Sequence, residues 1–267
     1  MYPAGTPRKD FLRWYSRTFN VVEGNGTFYG VPGSDTFRKW TGEAAEGFEF
    51  CFKVPRAITH DAKLVGSSRE VAEFIDRLRI VDDAGKLGPT LLQLGPDFAG
   101  DRFDDLAAFV ESWPLSLAVE VRHADWYDAA RTERQLDDLL RSTGADRVMF
   151  DSRALYQSPP DDDIEVESQN RKPKLPPRTT VTGRRPMVRF IGRNRVRLCE
   201  PYLDRWAETV AGWIADGLRP IFFTHAPDDA MAPSLARLWM ERLSRRIGGS
   251  NLAVPVPPVG ERQQRLF

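Results

Sequence analysis

Cysteine is almost absent. Cys51 and Cys199 are the only two in 267 residues; they lie far apart and form no CxxC pair, which excludes a disulfide framework and a cysteine-rich structural zinc site and fits a reducing cytosol. Charge of one sign is lacking too. Lys plus Arg and Asp plus Glu each number 38, so no global field draws the chain to DNA or to an anionic membrane, and any anion site must be a local cluster. No apolar run approaches the roughly 20 residues of a bilayer span, and the opening MYPAGTPRKD holds no apolar signal segment; no membrane partner and a cytoplasmic location are expected. There is no Gly-rich phosphate loop, GxSxG elbow, kinase signature or HExxH pair, which disfavours nucleotide-dependent phosphoryl transfer and predicts no nucleotide cofactor.

What is present is an alternation of strand-like and helix-like runs from end to end, the mark of a parallel sheet with crossover helices. Seven strands are predicted: NVVEGN, FEFCFKV, TLLQL, LAVEVRH, RVMFDS, MVRFIG and PIFFTH. The length fits the roughly 250 residues usual for a (β/α) barrel, so the predicted fold class is α/β, a TIM-type barrel. Seven strands are one short of closure and the chain opens on a helix, so the expected first strand either precedes Met1 or is a gap. The predicted organisation is one barrel domain over residues 1–247 and a Gly/Pro-rich flexible tail over 248–267. Residues 153–185 have few apolar side chains and read as a mobile loop, either a surface insertion or a lid. Capping boxes are predicted at Ser67 with Glu70 and at Thr132 with Gln135.

Side chains alternate across a strand, so the phase of each run separates its two faces. Phe48, Phe50, Phe52 and Val54 share one face of FEFCFKV and leave Lys53 on the other. The same split isolates Gln93, Glu120 with Arg122, Asp151 and Arg189, while Glu23 and Asn25 share a phase. These positions fall late in their strands, where barrel proteins carry ligand and catalytic groups. Lys53, Arg122 and Arg189 would balance Glu23, Glu120 and Asp151 around a cavity; structural ion pairs are the alternative. The chain has three histidines, and each follows a strand: His60, His123 and His225. Converging on one face they would serve as acid/base groups or metal ligands, which leaves a divalent metal open. Glu120 with His123 is the best local acid/base pair, and Trp126 beside it either walls a ring-binding site or anchors the loop.

The chain ends Gln263, Gln264, Arg265, Leu266, Phe267, which resembles the Q-x-x-L-F peptide that docks bacterial replication and repair proteins on the sliding clamp: Leu266 and Phe267 fill an apolar pocket and Gln263 gives polar registration. A tail without a partner is the alternative, since the motif is short.

Several segments together carry a broader resemblance: FNVVEGNGTFYGVP (19–32), FCFKVPRAITHDAKL (50–64), KLGPTLLQLGP (86–96), AVEVRHADW (118–126) and RPIFFTHAPDDAMAPSLA (219–236). Through them the chain resembles domain-of-unknown-function family 72, the YecE-like proteins, over nearly its whole length. The resemblance implies a TIM barrel similar to metal-dependent endonuclease and sugar-isomerase barrels, with no established activity. Its recurring polar positions match Glu23, Asn25, Thr27, Tyr29, Lys53, His60, Gln93, Glu120, Arg122, His123, Trp126 and Asp151. The family's usual opening strand, ending in a Gly-Thr-Ser-Gly-Trp-like motif, is missing here, in line with the absent eighth strand.

Two functions follow as expectations. In the first, the chain binds or processes nucleic acid or a phosphorylated ligand, as in phosphodiester hydrolysis: Arg122, Arg189 and Lys53 hold phosphate, Glu120, His123, Glu23, Asp151, His60 and His225 supply acid/base groups, and the tail tethers it to the clamp. In the second it is a sugar isomerase or epimerase, with Trp126 and Tyr29 as ring platforms.

Overall fold

The computed structural model describes residue 2, residues 5–128 and residues 130–248. Among them are seven strands and nine α-helices in strict alternation after the first helix pair: α1 (Phe11–Thr18), β1 (Val21–Gly24), α2 (Gly26–Tyr29), α3 (Ser34–Glu43), β2 (Glu49–Phe52), α4 (Ser68–Asp83), β3 (Thr90–Gln93), α5 (Phe103–Ser112), β4 (Leu117–Glu120), α6 (Arg131–Thr143), β5 (Asp146–Asp151), α7 (Asp163–Arg171), β6 (Met187–Ile191), α8 (Glu200–Ala215), β7 (Ile221–His225) and α9 (Ala232–Ile247). Six strands lie within the predicted runs and β5 begins one residue before its run, at Asp146; every recorded pairing is parallel. No described helix is long and apolar enough to cross a membrane.

Contacts divide the chain into two units. The first holds residues 19–148 with 180–183. In it β1 pairs with β2, isolated bridges join Phe50 to Leu87 and Lys53 to Leu91, β3 pairs with β4, and Ala118 and Val119 pair with Asp146 and Arg147 at the start of β5. Its core is aromatic. Phe48, Phe50, Phe52 and Val54 are buried as their shared phase predicts, but so are Cys51 and Lys53 between them, because helices and strands cover both faces of a parallel sheet. Each fully buried Phe contributes roughly 1.5–3 kcal/mol. The rings of Phe50 and Phe52 stack at 5.3 Å with a 2° interplanar angle. Thr182 belongs to this unit because its hydroxyl accepts from Arg147 N and donates to Ala145 O, both at 2.8 Å. Arg147, 1% exposed, ties β5 to α6 through Glu133 and Asp137.

The second unit holds the described residues of 1–18, 149–179 and 184–266. There the end of β5 neighbours β6, and β6 pairs with β7 over five residues. The 153–185 stretch is not a bare loop. It contains α7, and Leu155 joins Phe150 and Ile191 in a buried cluster. Arg193, fully buried, binds Glu165 at 2.6 Å and Asp161 at 3.2 Å and donates to the carbonyls of Ser158 and Pro159. One buried arginine secures what a count of apolar residues reads as loose.

The predicted caps fall partly elsewhere. Ser67 does stand at the N-cap of α4, without a side-chain cap bond. Thr132 lies inside α6, and Asp128 caps that helix instead, accepting from Ala130 N at 2.9 Å and Glu133 N at 3.3 Å.

Candidate functional site

In the first unit a row of polar side chains runs across the carboxyl ends of three neighbouring strands. Lys53 stands one residue beyond β2, Gln93 closes β3, Glu120 closes β4 and Arg122 follows two residues later. Lys53 Nζ donates to Gln93 Oε1 at 2.6 Å, Gln93 Nε2 donates to Glu120 Oε1 at 2.8 Å, and Arg122 Nε donates to the same oxygen at 2.7 Å. Glutamine suits the middle of such a row because its amide accepts from one neighbour and donates to the next. Lys53, Gln93 and Glu120 are buried, and burial of these charges is tolerated because each is hydrogen-bonded.

Two loops complete the site. The Thr27 hydroxyl binds Gly24 O at 3.1 Å and Lys53 O at 2.6 Å, which pins α2 against the ends of β1 and β2. That placement puts the Phe28 ring under the Lys53 ammonium, 3.7 Å from its centroid, a cation–π contact. After β2 the chain makes a π-helical turn, Ala57–Asp61, followed by two left-handed residues, Lys63 and Leu64, at φ 49° and 71°. Single π turns and left-handed non-glycine residues both gather at functional sites. This turn carries His60, whose ring meets Phe28 edge-on at 5.1 Å.

Thr59 holds the His60 ring. The Thr59 hydroxyl lies 3.1 Å from Pro55 O and 2.8 Å from His60 Nδ1. The hydroxyl thus ties the imidazole to the backbone of the turn. Burial, then the charges of Lys53, Arg122 and Arg56, pull the His60 pKa below its ordinary value, with Asp97 opposing. Neutral His60 is therefore a base in a cationic neighbourhood. Beside it a groove of about 440 Å³ is lined by Phe28, Tyr29, Pro32, Pro55, Arg56 and Arg77 among others.

Other predicted residues fall variously. Glu23 is buried on β1, next to the site's first loop, and Asn25 stands at the N-cap of α2 without a side-chain cap bond. Tyr29 is 83% exposed on the groove. Glu120 and His123 do not form the predicted acid/base pair: His123 Nδ1 accepts from Asp125 N at 3.2 Å and faces the Asp125 carboxylate at 3.3 Å. Trp126 offers no ring-binding wall. It is fully buried, donates from Nε1 to Phe98 O at 2.8 Å and stacks on the Phe98 ring, so it anchors the loop. Asp151, Arg189 and His225 belong to the second unit. Asp151 is engaged by Arg153 through N, Nε and one terminal nitrogen, and by Trp206 Nε1 at 2.7 Å. Arg189 is buried at mid-β6, and His225 ends β7 opposite Ile191. Among the described residues no group of three or more His, Cys, Asp or Glu side chains is placed to hold a metal ion. Gln263, Leu266 and Phe267 lie outside the described residues.

A family model described as "Protein of unknown function DUF72" matches residues 1–258. The chain belongs to the DUF72 family. It is 33% identical to UPF0759 protein YecE of Escherichia coli K12 over 258 residues, 96% of this chain and 92% of that protein, and 32% identical to its counterpart in Escherichia coli O157:H7 over the same shares. Among solved structures it resembles a DUF72 family protein from Enterococcus faecalis V583, with a TM-score of 0.68 at 17% identity over 92% of this chain and 96% of that one. A DUF72 family protein from Thermotoga maritima MSB8 matches with a TM-score of 0.68 at 22% identity over 93% of each chain. These likenesses establish a shared fold.

Three residues of this DUF72 site escape strand phasing. Phe28 joins the lysine to the histidine, Thr59 holds the imidazole against the turn, and Arg56 adds to the field at His60. All sit between strands, Phe28 in α2 and Arg56 and Thr59 at the π-helical turn, where period-2 patterning gives no signal. The signal that could have found them is adjacency: Phe28 precedes Tyr29, and Thr59 precedes His60.

Proposed function

We propose that the first unit binds a phosphorylated ligand at the carboxyl ends of β2, β3 and β4, with Arg122 and Lys53 holding the phosphoryl oxygens and neutral His60 as the group that takes a proton. The observation that carries this reading is the Lys53–Gln93–Glu120–Arg122 row, a cation at each end of a buried, hydrogen-bonded line. The field that depresses His60 has the same sign. Arginine and lysine are the side chains that recognise phosphate, the first by its fork and the second as a point charge. The seven strands are then staves of a TIM-type barrel, the architecture in which ligand groups stand at strand carboxyl ends. A cytoplasmic location and a nucleic-acid or sugar-phosphate ligand are part of the same proposal.

A sugar isomerase working through Glu120 and His123 is less well supported, since the Glu120 oxygen already accepts from two donors and His123 is turned to Asp125. Tethering to the sliding clamp through Gln263, Leu266 and Phe267 remains a proposal from sequence; clamp capture that survives Leu266→Ala with Phe267→Ala would refute it.

The phosphoryl site is tested by calorimetric titration of the protein with inorganic phosphate and a sugar phosphate. Binding that weakens as salt rises, and falls at least about tenfold in Arg122→Gln, is expected. Circular dichroism melts of the variant verify its fold. Equal binding by a folded Arg122→Gln protein overturns the proposal.

A further inference from the structure

The turn that carries His60 ends on a backbone that side chains disfavour. Lys63 and Leu64 stand at φ 49° and 71°, in the left-handed region where a β-carbon is crowded and glycine is the usual occupant. Such strain persists where the surrounding structure enforces it. At Leu64 the side chain is buried in the core. At Lys63 it makes an ion pair: Nζ lies 2.6 Å from Asp97 Oδ2, and the Lys63 carbonyl accepts from Arg102 at 3.4 Å. Asp97 and Arg102 lie between β3 and α5, so these contacts tie the turn after β2 to the loop after β3. His60 lies beneath that tie. A β-carbon on Gly95, two residues beyond Gln93, would be 3.3 Å from His60 Cδ2 and 2.6 Å from Asp97 Oδ1. The ring therefore rests on bare backbone at the end of β3, with Phe28 edge-on at 5.1 Å and the Thr59 hydroxyl 2.8 Å from Nδ1.

We infer that the Lys63–Asp97 bridge is a strap that holds the His60 ring at the end of β3 beside the cationic row, which makes Lys63 and Asp97 positioning residues of the site. The use of that site rests on the phosphoryl-binding reading; the placement of the ring does not. The bridge is partly exposed on both sides, so it adds little to global stability, and its consequence is local. The charges that act on His60 are Lys53 beyond β2, Arg56 at the turn and Arg122 beyond β4, which repel its proton, and Asp97 beyond β3, which opposes them with the smallest effect of the four. Two roles for Asp97 thus have opposite signs. Acting by charge alone, its removal would push the His60 pKa further down. Acting as a strap, its removal lets the ring leave Lys53 and Arg122 for water, and the pKa rises toward 6.5.

The test follows the His60 ring protons by NMR titration of the whole protein, with His60→Gln assigning the resonance. Asp97→Ala decides, and its His60 is expected to titrate at higher pH than in wild type. Lys63→Gly should shift in the same direction, and Lys63→Arg, which can renew the bridge, should titrate as wild type. Glycine adopts the Lys63 φ without strain, so Lys63→Gly removes the strap and spares the backbone of the turn. A His60 that titrates at the same or lower pH in folded Asp97→Ala overturns the strap. Inorganic phosphate that leaves the wild-type titration unmoved counts against the phosphoryl reading instead, while the variants still judge the strap without phosphate.

Discussion

The Nε of Arg122 lies 2.7 Å from Oε1 of Glu120, a carboxylate whose side chain has no exposed surface. That oxygen also receives the Gln93 amide, whose other end receives Lys53. Glu120→Ala therefore removes the acceptor that a half-buried guanidinium and a buried amide share. A loss of about 3–5 kcal/mol in urea unfolding is expected. Glu120→Gln keeps an acceptor at the same place and should cost visibly less; equal losses for the two would show that the row does not depend on that bond.

The pH dependence of stability carries the signature of His60. Its pKa is lowered from 6.5 by burial and by Lys53, Arg122 and Arg56. Unfolded, the ring takes a proton near pH 6.5; folded, it does so only at lower pH. Between the two values the unfolded state binds more protons, so stability falls as pH drops below about 6.5, and this contribution levels off beneath the folded value. His60→Gln should flatten the profile of urea midpoints between pH 7.5 and 5. Phosphate bound at the row should move the His60 proton resonance to titrate at higher pH, because the anion cancels the repelling charges.

Gly24 ends β1 where only hydrogen fits. A Cβ there would lie 2.6 Å from Cδ1 of Phe52, and that ring is fixed by stacking on Phe50. Its φ is not left-handed, so the constraint is purely steric. Gly24→Ala should lower stability by about 1–3 kcal/mol. Gly24 O also accepts from Lys53 N at 3.2 Å and from Thr27, so displacement reaches the lysine, and phosphate binding should weaken along with the melting temperature.

The strands were legible because parallel strands buried on both faces leave continuous apolar runs, and their late charges mark the carboxyl ends. That is why Lys53, Gln93, Glu120 and Arg122 stand out from the sequence alone. Partners set by loops were not legible. Asp151 was grouped with the cations of other strands, yet Arg153, two residues on, and Trp206 from α8 take its oxygens. Trp126 followed a strand like a site residue, but nothing local says that its indole finds Phe98 O. Phasing assigns a face; it does not say which donor arrives there.

The same limit explains the 153–185 stretch, and Arg193 gives it a test. The guanidinium binds Glu165, itself fully buried, and Asp161, and donates to the carbonyls of Ser158 and Pro159. Glu165 in turn accepts from Asp161 N and Asn194 N. Arg193→Met keeps a long apolar stem but removes five donors, leaving the Glu165 carboxylate buried with backbone partners alone. Removing one member of a buried pair costs about 3–5 kcal/mol, and here the cost falls on one segment. Local opening should then precede global unfolding. Limited proteolysis of Arg193→Met in native buffer is expected to cut between residues 153 and 172 at a rate well above wild type, while Arg195→Met, an exposed neighbour, should behave as wild type. Equal resistance of the Arg193 variant would mean that Leu155 and α7 hold the segment by packing alone.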